Sequence, residues 1–279
     1  MRARAGTARY RGPSALGDDL RRFWSLTLTL ATTDFKLRFF GSALGYLWSL
    51  VRPLMLFGVL YVVFTEVVRF GDGVKDYPVY LLAAIVMFTF FSDTTTRAVT
   101  SLIKRENLLR KIRFPRMVIP LAEALHGLFN LGLNLIAVFV FVFAAGIEPR
   151  LDWLQVPLLV LMLVVLSTGV ATLLSALYVR YRDLEPIWEV LVQILFYASP
   201  VIYVATAVPD SLRQAAAMNP LATILNQMRH ALVDPDAPTG ITLIGGWQWL
   251  PVPVGIVALI FVLGLWVFAR ETPRIAENL

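Results

Sequence analysis

The sequence predicts an all-α membrane protein. Six transmembrane helices follow an N-terminal cytoplasmic interfacial amphipathic helix, and short re-entrant outer helices lie between spans five and six. Three observations carry this expectation. Hydrophobic residues make up 58% of the 279 residues, charged residues 16%, and the mean hydropathy is +0.70, which is too apolar for an ordinary soluble domain. The apolar residues gather in runs near or above the ~20 residues that cross about 30 Å of hydrocarbon. Lysine and arginine, finally, are distributed one-sidedly among the connections. A single buried helical core in a soluble protein is the alternative, and the run lengths disfavour it.

Residues 1–20 carry Arg2, Arg4, Arg9 and Arg11 but no apolar core, so they read as a disordered cytoplasmic tail and not a cleavable signal peptide. Residues 21–45 read as the interfacial helix. From Asp34 to Pro53 the chain is basic and aromatic, and it runs into the apolar stretch Leu54–Val68. Cations with Phe, Tyr and Trp suit the layer where headgroups meet acyl chains. The segment reads as a helix lying on the membrane and then turning into it. A six-span body at 46–270 follows, then a cytoplasmic C-terminal tail at 271–279.

The first span is expected at Tyr46–Val68, with Pro53 tolerated near its start. The next three are expected at Tyr77–Ser101, Val118–Ala145 and Trp153–Val179. The fifth, Pro186–Val204, is the least regular, and the sixth, Trp249–Ala269, is entered through Trp247 and Trp249 as interfacial anchors. Ser199-Pro200 breaks the fifth helix, which membranes tolerate where protein or water satisfies the freed carbonyls. Val208–Leu232 is too polar to span, yet it keeps helical spacing at Leu212, Ala216, Leu221, Ile224, Leu225 and Met228. Interrupted at Met218-Asn219-Pro220, it reads as two short helices dipping into the outer leaflet; a kinked bundle helix is the alternative.

With the N-terminus inside, 20 of the 25 lysines and arginines fall on the cytoplasmic side. Arg69, Lys75, Arg150, Arg213 and Arg229 stay outside, among the acids Asp72, Asp76, Glu148, Asp152, Asp210, Asp234 and Asp236. The positive-inside rule then sets both termini in the cytoplasm. The net charge of +6 belongs to those inner loops and does not imply a nucleic-acid partner.

Catalytic chemistry is hard to find. Cysteine is absent, which removes thiol nucleophiles and thiolate-held metals. There is no phosphate-binding Gly-x-x-x-x-Gly-Lys-Ser/Thr loop, and the two histidines, His126 and His230, lack metal-ligand spacing. Asp234-Pro235-Asp236 matches an Asp-x-Asp pattern but reads as a solvated turn. The expectation is a protein that is not an enzyme, with no cofactor or metal of its own.

Polar residues inside spans are costly and therefore informative. Glu123, His126, Asn130 and Asn134 share one face of the third span, and Glu185, Glu189 and Gln193 do so at the start of the fifth. Asp93 stands four residues before Arg97, where a helix pairs them. Between spans two and three, Lys104–Arg116 carries six cations and one acid, Glu106. Its Leu108, Leu109 and Ile112 share a helical face, as expected of a short cytoplasmic helix docking on a partner; a loop that only sets topology is the alternative.

Three groups of residues resemble a known family. Phe35-Lys36-Leu37-Arg38, Gly41-Ser42, Leu44-Gly45-Tyr46-Leu47-Trp48-Ser49-Leu50 and Pro53 are similar to the first-span signature of ABC-2 type permeases that export cell-surface polysaccharides such as O-antigen and teichoic acid. Glu106-Asn107-Leu108-Leu109, Lys111, Phe114-Pro115-Arg116 and Pro120 resemble that family's connection between spans two and three. Ser199-Pro200-Val201-Ile202-Tyr203, Asn219-Pro220 and Arg229 resemble its fifth-span end and outer helices. The resemblance implies a homodimer in the bacterial cytoplasmic (inner) membrane, paired with two copies of a separate ATPase that binds ATP and Mg.

The resemblance also implies a glycan substrate on a polyprenyl diphosphate lipid. By position, ATPase coupling falls on Glu106, Asn107, Leu108, Leu109, Arg110, Lys111 and Arg113, with Arg182 and Glu185 as a second contact. Lys36, Arg38 and Arg52 are placed to meet the diphosphate headgroup, since arginine offers planar pairing with phosphate oxygens. Aromatic rings stack on sugar CH faces and polar groups serve the hydroxyls. The residues expected to line the channel are Tyr46, Trp48, Tyr61, Glu123, Asn130, Asn134, Gln193, Tyr197 and Tyr203. An exporter of drugs or small amphiphiles, and a membrane-embedded enzyme of lipid-linked glycan synthesis, remain as alternatives.

Overall fold

The computed structural model describes residues 20–39, 45–69, 73–106 and 115–278. Among them every regular element is helical. Helix α1 (Leu20–Phe39) is followed by a 3-10 turn, Gly45–Leu47, that leads into α2 (Trp48–Val62) and a closing π turn, Val63–Val67. The long helices α3 (Tyr77–Lys104), α4 (Val118–Ala144) and α5 (Gln155–Tyr178) come next. Helix α6 spans Leu184–Ala198, and α7 (Asp210–Ala217) and α8 (Pro220–Met228) are short, α8 ending in a π turn, Arg229–Val233. Helix α9 (Gly240–Leu243) and α10 (Pro251–Asn278) complete the chain.

Five segments are long and apolar enough to cross a membrane: Gly45–Val67, Tyr77–Lys104, Val118–Ala144, Leu151–Tyr178 and Trp247–Thr272. They coincide with the first four expected spans and the sixth. The fifth differs. Helix α6 has 15 residues, about 22 Å at the α-helical rise, and it stops at Ala198, where Ser199 turns extended (φ −103°, ψ 149°). The chain then continues through a buried irregular segment containing Ser199, Val201, Ile202 and Val204.

Helix α3 is the hub. It is buried almost continuously from Tyr77 to Leu102, enclosed by α2, α4, α5 and α6. The outer helices leave apolar sides exposed, including Met55 and Val59 on α2, Ile136 and Val140 on α4, Val190 and Ile194 on α6, and Leu259 and Val262 on α10. Such continuous apolar exposure belongs against lipid or a second protein surface. Helix α1 packs on α4 through the stripe Phe23, Thr27 and Ala31, while Trp24, Leu28 and Leu37 are exposed. Its apolar residues thus occupy both sides.

The two ends of the bundle differ in chemistry. One gathers the close of α3, α5 and α10 and the start of α4 around Phe23, Leu102, Met117, Ile119, Val179 and Phe268. The other is tied by tyrosines on the first turn of α3. The Tyr77 hydroxyl donates to the Ile202 carbonyl at 2.7 Å, and that of Tyr80 reaches the carbonyls of Pro200 and, at 2.9 Å, Tyr203. Asn219 Nδ2 donates to Ser199 Oγ at 3.0 Å, while its Oδ1 caps α8 by accepting from Leu221 N. Leu221, Ile224, Leu225 and Met228 are fully buried where α8 lodges against α3, α5 and α10. Gln227 then bridges to Gln155 at 2.7 Å and to the Gly240 amide at 3.0 Å.

Helices α5 and α10 touch backbone to backbone. A Cβ added at Gly169 would stand 2.7 Å from Phe261 Cα, and one at Gly264 would overlap the Gly169 carbonyl. Small residues permit this approach, which in a membrane replaces the hydrophobic drive between helices with close packing. Gly169→Ala or Gly264→Ala should therefore cost about 1–3 kcal/mol of overpacking, read as a lowered Tm in detergent. Gly255→Ala on α10 is the control, because nothing lies within 4 Å of its added Cβ. Equal melting of all three variants would show that the close crossing does not matter.

Candidate functional site

The middle of α3 carries Ser92-Asp93-Thr94-Thr95-Thr96-Arg97, an expensive sequence for an enclosed helix. Each charge has a partner. Arg97 Nη2 donates to Asp93 Oδ2 at 3.2 Å, and its Nη1 lies 2.8 Å from His126 Nε2 on α4. A guanidinium only donates, so His126 accepts at Nε2 and keeps its proton on Nδ1. Thr95 Oγ1 accepts from the Trp188 indole of α6 at 3.1 Å. Arg52, on the second turn of α2, approaches Asp93 at 3.8 Å with its side chain 71% exposed. Asp93 is therefore held mainly by Arg97, and the Arg52 guanidinium retains donors for another anion.

Two cavities flank this charge cluster. One of about 430 Å³, between α2, α3 and α4, is walled by Trp48, Phe90, Leu131, Asn130 and Asn134. The other, about 470 Å³ between α2, α3 and α6, is walled by Leu56, Phe88, Gln193, Phe196 and Tyr197. Arg52, Pro53, Thr89 and Asp93 line both, so the ion pair stands in the partition. Gly127 opens the floor of the first, where a Cβ would collide with Thr94 Oγ1. Aromatic faces alternate with hydrogen-bonding groups along both linings, the acid Glu189 among them in the second, which suits a ligand with alternating apolar faces and hydroxyls.

Of the residues expected to line a channel, the structure places Trp48, Asn130 and Asn134 at the first cavity and Gln193 and Tyr197 at the second. Tyr46 lies elsewhere, stacked on Phe35 with ring centroids 5.1 Å apart at a shallow cleft bounded by Leu128, Phe129 and Gly132. Tyr61 stacks on Phe57 further along α2. Tyr203 is tied into the tyrosine-bound end, its hydroxyl donating to the Tyr197 carbonyl at 3.2 Å. Glu123 sits outside both cavities and pairs with Arg105 at 3.2 Å. Lys36 is exposed on α1 and is not grouped with Arg52; the Arg38 side chain lies outside the described residues.

Of the residues expected to meet an ATPase, Glu106, Arg182 and Glu185 are described. Asn107, Leu108, Leu109, Arg110, Lys111 and Arg113 lie outside the described residues, and Glu106 is the last described position before them. On either side stand two well-held arginines. Arg105 Nη2 pairs with Asp34 of α1 and with Glu123 of α4. Arg116 Nη1 donates to the Thr272 carbonyl of α10, and burial lowers its pKa. Arg182 and Glu185 are brought together through Tyr178: the Arg182 guanidinium sits 5.3 Å from the ring centroid, and the Tyr178 hydroxyl donates to Glu185 at 2.7 Å.

Sequence reasoning missed Arg105, whose partners lie 71 and 18 residues away, and it missed the setting of Arg229. That cation is buried, 5.4 Å from the Tyr80 ring centroid and 3.4 Å from Asp234. The expected solvated turn at Asp234 is a turn, since Asp236 N donates to Asp234 Oδ1 at 3.2 Å, but Asp234 itself is buried. No cluster of His, Asp and Glu that could hold a metal occurs among the described residues.

The chain is similar in sequence to known proteins over most of its length. The O-antigen export system permease protein RfbA of Klebsiella pneumoniae is 27% identical over 262 residues, 94% of this chain and 97% of that protein. The Myxococcus xanthus protein of the same name is 27% identical over 78% of this chain and 85% of its own. The polysialic acid transport protein KpsM of Escherichia coli is 21% identical over 75% and 82% respectively. The family model described as ABC-2 type transporter matches residues 25–233, a region that takes in most of α1, both cavities, the charge cluster and the tyrosine-bound end. The chain belongs to the ABC-2 type transporter family.

Proposed function

We propose that this chain is the membrane subunit of an ATP-driven exporter of a cell-surface polysaccharide, carried on a polyprenyl diphosphate lipid across the bacterial inner membrane. The observation that carries the reading is similarity along nearly the whole chain to O-antigen permeases. The paired cavities support it. Trp48, Phe196 and Tyr197 offer faces to sugar rings, Asn130, Asn134 and Gln193 offer hydrogen bonds, and Arg52 offers a guanidinium to a diphosphate at the point where the cavities meet.

The partner set follows from the same chemistry. The chain has no phosphate-binding loop, so ATP and Mg bind a separate ATPase, which docks on Glu106–Arg116 with Arg182 and Glu185 beside it. The concentration of Lys and Arg at that end sets it, and both termini, in the cytoplasm. The second cavity borders α2 and α6, whose apolar sides are exposed. A second copy of the chain would cover those sides, and the subunit works as a homodimer. Helix α6 together with the buried segment to Val204 completes the set of six crossings, and α7 and α8 re-enter from the outer side.

Arg52→Ala tests the headgroup contact. Losing one charge-assisted contact costs about 1.5–3 kcal/mol, so stimulation of ATP hydrolysis by polyprenyl-diphosphate lipid should need roughly ten- to a hundredfold more lipid. An unchanged titration removes Arg52 from the headgroup site. Substrate class is tested by deleting the gene in a strain without a redundant exporter, where lipid-linked glycan should accumulate on the cytoplasmic side. Normal surface glycan, or dye export by the reconstituted complex, would favour the amphiphile exporter. For docking, Glu106→Lys or removal of Leu108–Ile112 should abolish co-purification with the ATPase while membrane insertion continues.

A further inference from the structure

Both stalks of the connection between α3 and α4 are held by arginines, and the first is held unusually. Arg105, immediately after α3, pairs through a single nitrogen, Nη2, with Asp34 of α1 and with Glu123 of α4. The Arg105, Glu123 and Asp34 side chains are 16%, 13% and 27% exposed, so the group is largely shielded from water. Arg105 also lies at the C-terminus of α3, where the helix dipole favours a cation. On the return stalk, Arg116 holds the Thr272 carbonyl of α10.

We propose that Arg105 is a coupling clamp, a positioning residue that makes α1, α3 and α4 move as one body when the connection is pushed. The proposal rests on the reading that Glu106–Arg116 docks on the ATPase. An exposed ion pair would slip under load, being worth little. A shielded guanidinium shared by two carboxylates does not, because parting from either leaves a poorly compensated charge. Displacement at Glu106 is therefore delivered to α1.

From α1 a continuous route leads to the cavities. Phe35, next to Asp34, stacks on Tyr46 at the mouth of α2 and meets the edge of His126 at 5.7 Å. His126 is bonded to Arg97, Arg97 holds Asp93, and Asp93 faces Arg52. Motion of α1 thus reaches the first turns of α2 through Tyr46 and the partition between the cavities through His126. None of these contacts passes through the ATPase surface, so clamp and docking surface separate experimentally.

The test compares Arg105→Gln, Arg105→Lys and Asp34→Asn, each assembled with the ATPase in inverted inner-membrane vesicles from a strain carrying its own lipid-linked glycan. Two quantities are read: co-purification of the ATPase, and glycan delivered to the vesicle lumen per ATP hydrolysed. Arg105→Gln and Asp34→Asn should co-purify as wild type, keep ATP hydrolysis within about twofold, and lose at least roughly tenfold in glycan per ATP. Arg105→Lys should recover at least about a third of the wild-type ratio. An unchanged ratio in Arg105→Gln overturns the clamp, as does loss of co-purification, which would make Arg105 a docking contact. If Arg105→Gln fails to insert, Asp34→Asn decides, and a wild-type ratio there overturns the proposal. Failure of the docking reading shows separately, as intact co-purification after removal of Leu108–Ile112.

Discussion

A charged pair midway along the most enclosed helix is the constraint on which the arrangement depends. Asp93 and Arg97 belong to α3, which is buried on nearly every side, and ionised groups survive there only with partners. Arg97 takes Asp93 and His126, which positions α4. Asp93 also faces Arg52 of α2 at 3.8 Å, a looser and more exposed contact. Thr95, on the same turn of α3 as Asp93, takes the indole of Trp188 and seats α6. Helices α4 and α6 are thus registered against α3 by polar contacts, where apolar packing alone would permit sliding. The cavities are what remains between helices held at those points.

The tyrosine-bound end solves a different problem with the same logic. Ser199-Pro200 ends α6 inside the protein and leaves carbonyls without helical partners. Tyr77 and Tyr80, a turn apart on α3, supply the missing donors. Tyr80 then offers its ring face to Arg229, whose charge is balanced by Asp234. A helix break, a buried cation and a turn carboxylate that look unrelated along the chain form one linked group around a single phenol.

Much of this was legible in the sequence. Long apolar runs located five of the spans to within a few residues, because hydrocarbon thickness leaves little freedom in helix length. The i, i+4 spacing of Asp93 and Arg97 foretold their pairing. Spacing also put Glu123, His126, Asn130 and Asn134 on one face, yet it could not say which neighbour each would meet: the asparagines line a cavity, while Glu123 meets Arg105. The length of α6 was hidden because residues 199–204 remain largely apolar, and what captures their carbonyls lies 120 or more residues away. Arg229 looked like an ordinary outer cation for the same reason, its partners being set by tertiary structure.

The contact of α5 with α10 at Gly169 and Gly264 also divides the molecule mechanically. Where two backbones touch, neither helix can roll or tilt without a steric clash, so α5 and α10 form a stiff pair with α8 lodged against it. Helices α2 and α6 have no comparable glycine contact among the described residues and present much of their surface outward. Stiffness is therefore unevenly shared, and the compliance of both cavities resides in their α2 and α6 walls. Hydrogen exchange would register that asymmetry as slow amides along α5 and α10 and faster ones where α2 begins.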